Sequence, residues 1–89
     1  MPVLTLTKPV TFGDQVLAQI TLREPTGKDL RTLGLPIGGD GLDTTVMAAW
    51  ISQLSEQAPP VVDMLCLRDW LAASSMVAGF FPQPPPPKL

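Results

Sequence analysis

The chain has 89 residues and a mass of 9.5 kDa, with 45% hydrophobic and only 16% charged residues. Six basic and eight acidic side chains leave a net charge of −2 and a pI near 4.7, which argues against a binder of phosphate backbones. There is no histidine, no tyrosine and one cysteine, so the commonest general base, an internal disulfide and a multi-cysteine zinc site are all missing.

These counts leave a small apolar chain with no catalytic machinery in view: not an enzyme, and with no cofactor. A domain of this size buries only about two-thirds of its unfolded surface, so a partner or self-association is expected to support it. The opening Met1-Pro2-Val3-Leu4-Thr5-Leu6-Thr7 alternates and has no basic stretch, unlike a targeting signal. No apolar run approaches the roughly 20 residues that span a bilayer. The reading is a cytoplasmic protein with Cys66 reduced, no membrane partner and no nucleic acid partner.

The first elements form a β-hairpin. Leu4 and Leu6 share one face, with Val3, Thr5 and Thr7 on the other. A second run places Val16, Ala18, Ile20 and Leu22 on one face, opposite Gln19, Thr21 and Arg23. Phe12-Gly13-Asp14-Gln15 supplies the turn, and Pro9 puts its stretch at or outside a sheet edge. A two-stranded hairpin is not stable alone, so helices must cover its apolar face.

Thr26 then serves as N-cap of a short helix, with Asp29 three residues on in capping-box spacing and Gly34 as the stop. Leu30 and Leu33 are expected to face the hairpin. Leu35-Pro36-Ile37-Gly38-Gly39-Asp40-Gly41 reads as a mobile loop; it lacks the lysine and framing of a phosphate loop. A second helix is capped by Asp43 and carries Val46, Met47, Trp50, Ile51 and Leu54 as one apolar stripe.

Pro59-Pro60 ends that helix, and 60–65 form a single helical turn. A final helix over 67–81 spaces Leu67, Trp70, Leu71, Ser74, Val77, Ala78 and Phe81 by threes and fours. The fold class is therefore α+β: an N-terminal β-hairpin and three to four short helices in one domain over 1–81. The proline-rich tail over 82–89 is expected to be disordered and flexible.

Arg23, Glu24 and Asp29 could form a carboxylate site, but strand-end solvation and a helix cap account for their residue types. Cys66, between two leucines, reads as a small buried hydrophobe. Trp50 and Trp70 lie on apolar stripes, where core packing is the default. So small a core cannot easily bury both, so one is expected to be partly exposed.

Taken together, Leu22-Arg23-Glu24-Pro25-Thr26 with Asp29-Leu30, then Leu33-Gly34, Val62-Asp63-Met64-Leu65, Leu67-Arg68-Asp69-Trp70-Leu71 and Val77-Ala78-Gly79-Phe80-Phe81 form a familiar order. Over residues 3–81 the chain resembles the small tail assembly chaperones of tailed bacteriophages and Mu-like prophages. That resemblance implies a non-enzymatic role in the bacterial host cell: binding the tape measure protein and keeping it soluble until tail tube protein polymerises around it. It also implies a longer form made by ribosomal frameshifting, for which the four CCN codons of prolines 84–87 are a candidate slippery run. The partner-binding surface is expected at the exposed edge of the second helix, Met47, Trp50 and Ile51, with Trp70 and Phe81 of the last helix nearby. The alternatives are a small structural subunit retained in a tail or tail-like particle, and a small regulatory binding protein.

Overall fold

The computed structural model describes residues 2–38 and 41–81. The tail expected over 82–89, and Gly39 and Asp40 of the glycine loop, lie outside the described residues. Strands β1 (Val3–Phe12) and β2 (Gln15–Thr21) form an antiparallel hairpin, followed by helix α1 (Gly27–Leu33). A two-residue ladder, β3 (Ile37–Gly38) with β4 (Gly41–Leu42), stands where a loop without pairing was expected. Helices α2 (Thr44–Ser55), α3 (Pro59–Met64) and α4 (Leu67–Gly79) complete the order.

The hairpin turns at Gly13-Asp14, and Gly13 has φ 62°, as a glycine does at the first central position of a type II′ turn. Its register is interrupted. Thr5 pairs with Gln19 but Val10 pairs with Leu17, leaving residues 6–9 of β1 opposite Ala18 alone. A strand's two faces alternate with every residue, so this insertion exchanges the faces of β2 beyond it. Ile20 and Leu22 point into the core as the alternation predicts, whereas Val16 and Ala18 are exposed and Leu17 takes the inward place beside Val10.

Helix α2 is the centre of the molecule, packing against α1, α3, α4 and β2. Met47, Trp50, Ile51 and Leu54 are buried along it, joined by Leu6, Val10, Ile20 and Leu22 of the hairpin segment. Val61, Val62 and Leu65 close the core from α3, and Ala73 and Val77 from α4. Asp43 caps α2 through its Oδ1, which accepts the Val46 amide at 3.1 Å. Pro59 opens α3 at a position where its missing amide costs nothing.

Two expectations about helix faces are corrected. Helix α1 packs chiefly on α2; Leu33 touches the core, but Leu30 is 42% exposed and does not join it. On α4 the expected apolar stripe divides: Ser74 and Val77 are buried and Trp70, Ala78 and Phe81 partly buried, whereas the leucines of its first turns are not. Asp69, Ala73, Ser74 and Val77 face inward, while Leu67 is 74% and Leu71 50% exposed. The physical reason lies in the hairpin's interrupted register.

Candidate functional site

Residues 6–9 break the ladder, and a buried backbone amide without a partner costs free energy. Asp69, in the first turn of α4, supplies the partner. Its Oδ1 and Oδ2 each accept the Thr7 amide at 3.0 Å, Oδ2 accepts the Lys8 amide at 3.2 Å, and Oδ1 accepts the Thr7 hydroxyl at 3.0 Å. Pro9 has no amide to place. Only 1% of Asp69 is exposed, yet its carboxyl is held below the usual carboxylate range, first by the Thr7 amide, against the opposing effect of burial. Docking this aspartate on the bulge sets the rotation of α4 and turns Leu67 and Leu71 outward.

Cys66, expected to be a buried hydrophobe, is only half-buried at the N-cap of α4, its Sγ 3.5 Å from Thr7 Oγ1.

A second polar cluster occupies the segment that carries the resemblance. The Arg23 guanidinium donates to Asp29 through two parallel bonds, Nη1 to Oδ2 at 2.8 Å and Nη2 to Oδ1 at 2.9 Å. Asp29 Oδ2 also accepts the Thr26 amide at 2.9 Å, the returning bond of a capping box. Gln53 Nε2 reaches Oδ1 from α2 at 3.3 Å. Asp29 is buried, and the guanidinium above all, then the Thr26 amide, holds its carboxyl well below the usual carboxylate range. The Arg23 guanidinium is raised in turn by its bonds to Asp29. These contacts join the strand exit to α1 and α2, and the Arg23 amide donates to the Leu54 carbonyl at 3.0 Å in the last turn of α2. The cluster is a brace, and its polar groups are spent on one another.

The surface with groups to spare is apolar. A groove of about 680 Å³ runs between α2, α3 and α4. Small residues, Thr45, Ala48 and Ala49, line it from α2 as its floor; Leu67, Trp70 and Leu71 line it from α4, and Leu42 and Pro59 also contribute. Among the described residues Asp63 of α3 is the one charged residue that lines it.

The five residues expected to contact a partner separate here. Trp70 is half-buried and lines the groove. Met47, Trp50 and Ile51 do not form an exposed edge: each is almost wholly buried, because their side of α2 is the one covered by the other elements. Trp50 donates from Nε1 to the Gly34 carbonyl at 2.8 Å, where Gly34 ends α1 with φ 78°. The half-buried Phe81 meets the Trp50 ring edge-on, with centroids 5.2 Å apart and planes at 80°, and packs against the core. Leu67 and Leu71 belong to the groove although their spacing reads as core. What marks them in the sequence is an aspartate, Asp69, at a helix position that also needs burial.

Among the described residues no cluster of three or more histidine, cysteine, aspartate or glutamate side chains could hold a metal ion. No described helix is long and apolar enough to cross a membrane. No curated protein and no solved structure matches the chain. The family described as phage tail assembly chaperone proteins, E, or 41 or 14, matches residues 3–82, nearly the whole length, and this protein belongs to that family of phage tail assembly chaperones.

Proposed function

We propose that the chain acts without catalysis in the host cytoplasm, holding the tape measure protein in the groove between α2, α3 and α4 and keeping it soluble until tail tube subunits polymerise around it. The observation that carries this reading is the exposure of Leu67 and Leu71 beside Trp70 over a floor of alanines and threonines. Exposed large apolar side chains gathered in one concavity mark an interaction surface far better than scattered ones do. A floor of small residues lets a partner's backbone approach, and apolar walls receive its side chains. A chaperone must also release its client, which suits a shallow groove more than an enclosed pocket.

The test is co-expression with a phage tape measure protein, scoring its soluble fraction and its co-purification. Solubilisation by the wild-type chain, and its loss in Leu67→Glu and Leu71→Glu variants that still fold, is the expected result. A tape measure protein that stays insoluble with the wild-type chain, or is solubilised equally by the variants, overturns the assignment to this groove.

A further inference from the structure

Among the described residues Asp63 is the one charged residue lining the groove, and it is exposed in the last turn of α3. A carboxylate there opposes the helix dipole, which favours cations at a C-terminal end. It receives nothing in return: among the described residues Asp63 has neither an ion pair nor a side-chain hydrogen bond, and of the acidic side chains in that condition, which include Asp14, Glu24 and Glu56, it is the one that lines the groove. Arg68, the nearest cation along the chain, lines a different pocket with Thr7, Lys8 and Cys66. Charge and lack of an internal partner coincide in the lining of the groove.

We infer that Asp63 selects the client: the groove takes an amphipathic helix whose apolar stripe is flanked by a lysine or arginine that pairs with this carboxylate. The inference rests on the groove being the client site, and it adds a charge requirement to that site. A carboxylate in the groove's lining favours a segment that brings a cation to it, and penalises an acidic residue there. Such a client is a helix-in-groove ligand, read by residues spaced at i, i+3, i+4 and i+7 with a basic neighbour.

The experiment is an array of overlapping 20-residue peptides tiling the tape measure protein, probed with the full chain as wild type, Asp63→Asn, Asp63→Lys and Leu71→Glu. The wild type is expected to retain peptides with a helical apolar stripe and a flanking lysine or arginine. Asp63→Asn should weaken those spots several-fold, as 0.5 M salt should for the wild type. Asp63→Lys should move the preference to stripes flanked by aspartate or glutamate, and Leu71→Glu should lose all of them. Unchanged peptide choice in Asp63→Lys, with loss in Leu71→Glu, overturns the role of Asp63 and leaves the groove standing. Absence of any bound peptide with the wild type overturns the groove as client site and this inference with it. Sedimentation gives one further outcome: a wild-type dimer that Leu71→Glu converts to monomer, with peptide binding retained, makes a second copy the occupant and overturns both.

Discussion

Asp69 accepts the Thr7 amide at 3.0 Å on each of its two carboxylate oxygens, across 62 positions of sequence. That contact closes the molecule: it fastens the first strand to the last helix, and it fixes which side of α4 faces the solvent. Replacing Asp69 by asparagine puts an amide group against two backbone donors, since only one of its two polar atoms accepts. The expected outcome is a lower melting temperature and exchange of the Thr7 and Lys8 amides faster by about tenfold or more, the consequence of losing charge-assisted bonds. Amides of β1 outside residues 6–9 should be far less affected. Hydrogen exchange read residue by residue by NMR checks this; uniform acceleration throughout β1 would mean that the aspartate acts on global stability alone.

Both buried carboxylates predict the same acid response. Asp29 and Asp69 have folded-state pKa values below those of the unfolded chain, so folding favours their ionised forms. Their contribution is fully present above the ordinary carboxylate value of about 4, and it is lost as pH falls through the depressed folded values. Denaturant midpoints should therefore be flat from pH 7 to about 5 and decline steadily below about 4. In Asp29→Asn the neutral-pH midpoint should be lower and the acid decline shallower. Urea titrations across that range, monitored by circular dichroism, check both the sign and the slope.

Arg23 tests the brace more directly. Lysine keeps the charge but not the two parallel bonds to Asp29, so Arg23→Lys should cost about 1 kcal/mol. Asp29→Ala strands the partly buried guanidinium and uncaps α1, and should cost about 2–4 kcal/mol. The two changes remove one shared interaction, so the double variant should be less destabilised than the sum. A double-mutant cycle by urea denaturation checks the coupling.

Much of this architecture can be read from residue order, and the part that cannot has a common cause. Thr26, Asp29 and Gly34 mark α1, Asp43 marks the start of α2, and Pro59-Pro60 mark that it has ended, because caps and prolines act through neighbouring atoms. The Leu22 to Leu30 segment, on which the resemblance rests, is legible for the same reason: its Arg23–Asp29 contact is a local brace. Long-range contacts are a different matter. Nothing near Thr7 announces that Asp69 will fill the break in the hairpin, so Val16 reads as inward and Leu67 and Leu71 read as core. The candidate site follows from that rotation of α4. Trp70 is the one anticipated contact residue that lines the groove; Met47, Trp50 and Ile51 carry the stronger stripe and are taken by the interior instead.

Trp50 and Trp70 provide a spectroscopic separation. Trp50 is wholly buried and bonded to Gly34, while Trp70 is half-buried at the groove. Trp70→Phe should leave a blue-shifted emission that client binding hardly moves. Trp50→Phe should leave Trp70 as the reporter, with emission shifting as the groove is covered, at a stability cost of about 1–2 kcal/mol for the lost indole hydrogen bond and imperfect packing. Fluorescence titration of each variant with a client peptide checks this, and an equal response from the two indoles would contradict the separation.

The decisive contrast sets the groove wall on α4 against the core side of α2. Leu67 and Leu71 are exposed, so glutamate at either should change stability by no more than about 0.5 kcal/mol. Met47 and Ile51 are buried in α2, and alanine at either should cost about 2–5 kcal/mol through lost burial and the cavity left behind. Client solubilisation should follow the opposite order when corrected for the folded fraction: abolished by Leu67→Glu with Leu71→Glu, and retained per folded molecule by Met47→Ala or Ile51→Ala. Thermal melts paired with co-expression yields measure both quantities on each variant. If Met47→Ala, folded and intact, lost the client while the glutamate variants kept it, the working surface would be the side of α2 that this fold buries, and binding would require the helices to open.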